Sequence, residues 1–240
     1  MEGAIFRAAM RERTGMRDPH KIPAYSLTDA GRYLGVPVST IRSWVKGRDY
    51  LTTGGTRRWP PIVKPAMDSP CVLSFENLVE LHVLRATRNK GVRIDAIRDA
   101  VFHLEEKYGS QHPLAQQEMQ TDGVSIFIEV LGKLIDVSHN GQVAIRKAIE
   151  VHLKRIERDD TGMPVRLYPF AQKHSPRTPS PVAIDPRVQF GRLCVTGTNI
   201  TVDDLVSRHR AGEELRTLSR DFDTPVGKLR DAMAHYYEVA

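Results

Sequence analysis

The chain is poor in the residues that most directly define a scaffold or an active site. Its 240 residues include two cysteines, Cys71 and Cys194, far apart and outside any CxxC pair. That spacing excludes a disulfide framework and argues against a structural zinc site. No run of about 18 apolar residues occurs, so no transmembrane helix is expected. The opening stretch MEGAIFRAAMRERTG lacks a signal-peptide core, because its short apolar part is broken by Arg7. A cytoplasmic protein without a membrane partner is the expectation. The motifs GxSxG, HExxH and GxxxxGK[ST] are all missing, and with them the most familiar hydrolase, metalloprotease and nucleotide sites. The nine histidines are scattered, none at metal-ligand spacing from a cysteine or another histidine. His82, His103 and His152 fall on predicted helices, where packing or solvation accounts for them. Asp203-Asp204 and Glu213-Glu214 each open a predicted helix, where the helix dipole favours acids without any catalysis. The expectation is a non-enzyme with no cofactor and no metal.

What is present is an uneven distribution of charge. The net charge is +6. Residues 1–70 hold 12 Lys/Arg against 6 Asp/Glu, residues 71–182 hold 15 against 14, and residues 183–240 hold 8 against 9. The basic excess therefore sits at the N-terminal end, which points to a polyanion partner for that part.

With 40% hydrophobic residues the chain can bury a core. Its clearest linker is AQKHSPRTPSPV at 171–182, where three prolines stand among Ser, Thr and charged residues. A weaker break runs from Gly109 to Asp122. These divide the chain into 1–108, a central α+β region at 109–170, the linker, and a module at 183–240. Apolar periodicity predicts helices near 26–34, 39–47, 75–90, 94–108 and 141–158. In the fourth, Ile94, Ile97, Val101 and Leu104 share one face. VSIFIEV and KLIDV, at 124–130 and 133–137, read as a hairpin joined at Leu131-Gly132, and 164–169 reads as a strand. The C-terminal module reads as a short strand followed by helices near 202–210, 213–222 and 225–238. The fold class is thus mainly α with small β elements.

The most informative segment is YSLTDAGRYLGVPVSTIRSWVKGR, residues 25–48. Ser26 and Asp29 form a capping arrangement for a first helix whose inner face is Leu27, Ala30 and Leu34. Gly35 stops it, Val36-Pro37-Val38 turns, and Ser39 caps a second helix. Ile41 and Val45 face inward, leaving Ser39, Thr40, Arg42, Ser43 and Lys46 outward. A helix that begins with small hydroxyl residues and carries cations suits a recognition helix. In RDYLTTGGTRRWPP, Arg48 leads in, Gly54-Gly55 suits a tight turn, and Arg57-Arg58 follow on a hairpin that would reach phosphates. Trp44 and Trp59 read as core or hairpin-packing residues. The alternative for 25–48 is an ordinary helical hairpin with a solvated arginine pair; the charge asymmetry favours DNA.

The order of helix, recognition helix, hairpin and then LSFENLVELHVLRATRNKGVRIDAIRDAV resembles MerR-type winged helix–turn–helix regulators. The resemblance implies DNA contacts for Thr40, Arg42, Arg57 and Arg58. Beyond residue 108 the sequence departs from that family, which continues in a long coiled-coil helix. The stretch from 183 to 238 resembles domain of unknown function 433, through Ile184-Asp185-Pro186, Gly191-Arg192, Gly197-Thr198 and Ala211-Gly212-Glu213. That resemblance implies a homeodomain-like three-helix module. Taken together the parts resemble a VapB-type antitoxin of the mycobacterial group. This implies autorepression at operator DNA and neutralisation of a PIN-domain ribonuclease toxin of the VapC type. The competing reading is a stand-alone MerR-like regulator with a central sensor region. A homodimer is expected, since such regulators read two half-sites.

Within the last module, FGRLCVTGTNIT (190–201) looks like a phosphate loop. Gly191 and Gly197 are five residues apart where a P-loop needs four, no lysine follows, and Asp203-Asp204 would repel phosphate. It is read as a turn leading into the helices. The third helix exposes Gly227, Lys228, Arg230 and Asp231, and its charges cancel. It is therefore expected to contact protein rather than DNA.

Overall fold

Helix α1 (Leu27–Leu34) starts where Ser26 Oγ accepts the Asp29 N–H at 3.0 Å and the Asp29 carboxylate receives the Ser26 N–H at 3.2 Å. This reciprocal pair satisfies two otherwise orphaned donors. Gly35, at φ 60°, ends the helix. Helix α2 (Val38–Lys46) begins at Pro37 rather than at Ser39, which corrects the expected cap. Proline presets the φ of a helix entry, so no side-chain cap is needed, and Ser39 stands exposed in the first turn. In this computed structural model residues 18–134, 138–170 and 180–239 are described.

Strands β1 (Arg48–Thr52) and β2 (Gly55–Trp59) form an antiparallel hairpin with Thr52 opposite Gly55. Helix α3 (Phe75–Arg88) follows, capped by Ser74 and Asn77, with Phe75 to Leu84 buried throughout. Helix α4 (Ile94–Tyr108) buries Ile97, Val101 and Leu104 as its periodicity requires, with Ile94 at the edge of the core.

The expected hairpin at 124–137 is instead helix α5 (Val124–Leu134), preceded by a π turn over Met119–Gly123. Val124, Phe127, Ile128 and Leu131 fall at i, i+3, i+4 and i+7, so they form one buried stripe against α4 and the next helix. Packing overrides the strand preference of the β-branched residues. Gly132 is no turn residue; a Cβ there would crowd the Gln142 side chain. Residues 135–137, the end of that expected hairpin, lie outside the described residues.

Helix α6 (His139–Leu153) stops five residues before the expected end at 158. Ile156–Arg158 becomes β3 because β4 (Pro164–Leu167) pairs with it antiparallel. Their turn is built by Asp159, whose Oδ1 receives the N–H groups of Thr161 and Met163 at 2.9 and 3.1 Å. After the segment 171–179, which holds most of the expected linker and is outside the described residues, Val182 is buried in β5 (Val182–Ile184). A 3₁₀ turn over Gln189–Gly191 leads to β6 (Leu193–Val195). One antiparallel sheet runs β3-β4-β5-β6, so the sequence divisions at 109–170 and 183–240 share a sheet. Helices α7 (Val202–Arg210), α8 (Leu215–Asp221) and α9 (Val226–Val239) complete the chain.

A single apolar core runs from Tyr25 through α3 to Met233. Its polar seam joins α1 to α7: both guanidinium nitrogens of Arg32 engage the Asp203 carboxylate, one at 2.9 Å. The same guanidinium lies over the rings of Tyr33 and Tyr236 at 5.2 and 5.8 Å. A forked pair on aromatic faces orients two helices more than it stabilises them. A double-mutant cycle of Arg32→Ala and Asp203→Ala, read by denaturant unfolding, is expected to give a coupling of about 0.5–1 kcal/mol.

On the far side of α3, His82 and His152 bring their rings to 4.8 Å, and His82 Nε2 lies 3.2 Å from His152 O. Burial, then for His82 the neighbouring His152 and for both rings the nearby arginines, lowers both imidazoles, with His152 pushed down to about 4. Because the unfolded imidazole titrates near 6.5, stability is complete above that pH and is lost as pH falls toward 4. Thermal unfolding between pH 7 and pH 5 should show His152→Gln losing less stability than the parent.

Candidate nucleic-acid interface

Helix α2 buries Ile41, Trp44 and Val45. That leaves Ser39, Arg42 and Lys46 exposed and Thr40 and Ser43 half-buried, with Arg48 exposed at the start of β1. Ser39, Thr40, Arg42, Ser43, Gly47 and Arg48 line one shallow depression, so six residues adjacent along the chain form a continuous surface. The Ser43 hydroxyl donates to Thr40 O at 2.8 Å, which commits it to the helix itself.

Helix and hairpin are joined without a spacer. Gly47 has φ 74°, and a Cβ there would collide with the Trp59 carbonyl. Glycine is required for this close passage. Arg58 Nη2 donates to Lys46 O at 2.8 Å and its guanidinium lies 3.6 Å from the Asp49 carboxylate. It therefore ties the hairpin to the C-terminal end of α2. Opposite residues share a face, so Arg48, Tyr50, Arg57 and Trp59 line one side of the hairpin, while Asp49 and Arg58 line the other. The sequence pair Arg57-Arg58 thus splits: Arg57 is exposed beside Tyr50, and Arg58 acts as a strut.

Trp59 packs the hairpin as its sequence position suggests, but the arginine that holds it was not legible. Trp59 stacks on Tyr50 at 4.8 Å and is covered by Arg98 of α4 at 4.7 Å. Arg98, 4% exposed, also donates from Nε to Pro60 O at 3.0 Å. These contacts lock the hairpin's base to the body, while Leu51 near its tip is 86% exposed. Arg98 lies 39 residues beyond Trp59, and nothing in its local sequence marks the contact.

The glycine-threonine stretch at 190–201 has a different use. Thr198 Oγ1 donates to Val195 O at 2.8 Å and accepts the Ile200 N–H at 3.1 Å. Thr201 caps α7 through the Asp204 N–H at 3.1 Å. Asp203 is held by Arg32, and Asp204 receives the Thr201 hydroxyl at 2.6 Å. Both acids are structural partners, and among the described residues no three His, Cys, Asp or Glu side chains converge to hold a metal. Within the 3₁₀ turn, Gln189 and Phe190 are left-handed at φ 47° and 54°, and the Phe190 side chain is 90% exposed.

The chain is thus mainly α with small β elements and carries an N-terminal helix–turn–helix domain. Residues 23–101 match the family described as "Putative DNA-binding HTH domain", and residues 182–236 match "Protein of unknown function (DUF433)". Across 230 residues the chain is 27% identical to the Mycobacterium tuberculosis protein named "Putative antitoxin VapB45", covering 88% of this chain and 93% of that one. The crystal structure of Rv2018 from Mycobacterium tuberculosis shares the fold, with a TM-score of 0.63 at 23% identity over 88% of this chain and 98% of that chain.

These geometries separate the roles of the cations. Arg42→Ala, exposed at the middle of α2, is expected to cost about 1–3 kcal/mol on a preferred duplex and to relax sequence preference. Arg57→Ala should weaken all duplexes alike and lower the salt slope by about 1. Arg58→Ala should lower the melting temperature as well, because it removes the strut. Fluorescence anisotropy across a salt series, with thermal unfolding of each variant, checks the three outcomes.

Proposed function

We propose that the protein is the antitoxin of a type II toxin–antitoxin pair. Its helix–turn–helix domain binds operator DNA as a repressor, and its C-terminal module engages the toxin. The observation that carries this reading is the exposed cationic face of α2 with the adjoining hairpin, joined in one chain to a module with no basic excess. The similarity to a protein named as an antitoxin extends over both parts. In this reading the hairpin acts as a wing, with Arg48 and Arg57 on phosphates, and Ser39, Thr40, Arg42, Ser43 and Lys46 face the groove. Arg58 holds the wing in place. The chain works as a cytoplasmic homodimer on two half-sites, and its toxin is a PIN-domain ribonuclease of the VapC type.

The protein contact is best served by Phe190. A left-handed phenylalanine costs backbone strain, and exposing its ring wastes apolar surface. An aromatic anchor that fills a pocket on a partner recovers both. Co-expression with the product of the adjacent gene tests the reading: that product should be toxic alone, and should co-purify with this chain. Phe190→Gly should abolish capture while stability and DNA affinity stay at or above the parent's, since glycine accepts the left-handed backbone. A harmless neighbour, or one that never co-purifies with the parent, sinks the antitoxin assignment.

A further inference from the structure

Three carboxylates among the described residues are more than nine-tenths buried: Glu76, Glu80 and Asp185. Asp185 is held by Arg166 and Arg187, and Glu80 by His112. Glu76, 6% exposed in the first turn of α3, has neither a hydrogen bond nor an ion pair on its carboxylate among the described residues. Burial pushes that carboxyl up, against the pull of His112 and Lys21. An unpaired buried acid is costly, and one that borders a cleft marks a place where a partner arrives from outside.

Glu76 lines a cleft of about 190 Å³ together with Lys21, Gln116, Gln117, Glu118 and Thr161. One side chain welds two of its walls. Arg158 Nη1 donates to Ala115 O and to Gly162 O, each at 2.7 Å, and Nη2 donates to Gln116 O at 3.1 Å. Asp159 Oδ1 receives the Thr161 hydroxyl at 2.6 Å, which holds the turn over 159–163. The Glu76 N–H donates to His20 O at 3.2 Å and so ties the residue beside Lys21 to α3. The cleft is therefore preformed, with walls from four separate stretches of the chain. Lys21 and Glu76 both line it, yet they form no ion pair with each other. The side-chain amides of Gln116 and Gln117 make no hydrogen bond within the described residues.

We infer that this cleft binds a free amino acid, with its ammonium at Glu76 and its carboxylate at Lys21. An ammonium brings three donors to an acceptor-only carboxylate, and the lysine does the same for the ligand's own carboxylate. The cleft is smaller than the about 300–1,000 Å³ of drug-sized sites, so it admits a ligand of few heavy atoms. A chain terminus would bring one of the two charges, whereas a free amino acid brings both. With Glu118 the charged lining holds one acid in excess, which disfavours an acidic ligand side chain. Lys21 and Glu76 belong to the part preceding α4, and Gln116, Gln117 and Thr161 to the central region, so the ligand would bridge the two. The inference does not depend on a toxin partner.

Thermal unfolding of the full chain with each standard amino acid in turn, at neutral pH and matched ionic strength, tests it. At least one with a neutral or basic side chain should give a saturable rise, about 3–6 °C at roughly tenfold over its Kd. Ethylammonium and propionate, which carry one charge each, should give less. Glu76→Gln and Lys21→Met should each lose most of the rise, and Glu76→Gln without ligand should be at least as stable as the parent because an unpaired buried charge is gone. No rise with any amino acid, or a response confined to aspartate and glutamate, overturns the proposal. So does a rise kept in full by either variant, or one that ethylammonium or propionate matches. Should Glu76→Gln not fold, calorimetric titration of Lys21→Met, altered at an exposed residue, decides. Loss of the charged donor should weaken amino-acid binding about tenfold, and an unchanged affinity overturns the site.

Discussion

Helix α3 is buried on every side from Phe75 to Leu84, and the rest of the molecule is arranged by what that enclosure demands. Along it Glu76, Asn77, Glu80, His82 and Thr87 are buried with the apolar residues. A buried polar group without a partner costs free energy comparable to a lost hydrogen bond; Thr87 finds one inside the helix at Val83 O, while Asn77, Glu80 and His82 draw theirs from elsewhere in the chain. Asn77 takes Lys64 O at 2.8 Å and the Ala66 N–H at 3.0 Å, which fixes the loop that follows the β1–β2 hairpin. Glu80 meets His112 at 2.9 Å, which anchors the segment after α4; burial pushes the carboxyl up and the pairing opposes it. His82 reaches His152 and thereby sets α6. Three distant segments are placed by one helix's polar residues.

That framework holds the cationic surface in position. The core takes Ile41, Trp44 and Val45, so the remaining face of α2 must look outward. Gly47 lets the chain pass against Trp59 without a spacer, and Arg98 clamps Trp59 from α4. The hairpin's orientation is therefore set by packing on its base, and Arg48 and Arg57 stand exposed on it. At the other end of the core, the sheet crosses the proline-rich stretch and Arg32 reaches Asp203. A partner bound at Phe190 and a duplex bound at α2 would thus act on one continuous core, the mechanical condition for either to affect the other.

Much of the helical content was legible, because a strong period-3.6 pattern with local caps needs no distant partner. Ser26-Asp29 and the stripe from Ile97 to Leu104 are of this kind. The two misassigned elements share one cause. VSIFIEV alternates well enough for a strand, and it is a helix because α4 and α6 offer a surface for Val124, Phe127, Ile128 and Leu131. Ile156–Arg158 continues a helical pattern, and it is a strand because β4 is there to pair with it. Likewise the spacing of Arg57 and Arg58 says nothing of their opposite faces until the register is known.

By itself the sequence determined the Ser26–Asp29 cap, the helix–turn–helix spacing, the N-terminal bias of basic charge and the turn character of 190–201. All of these are local in the chain, governed by dihedral preference, periodicity or simple counting. Only the tertiary structure decided that Arg58 is a brace while Arg57 stands on the opposite face of the hairpin, that Asp203 answers Arg32, and that Arg98 clamps Trp59. Those facts depend on which side chains arrive from distant segments to share buried space. Burial makes each such meeting energetically decisive, and no local pattern encodes it.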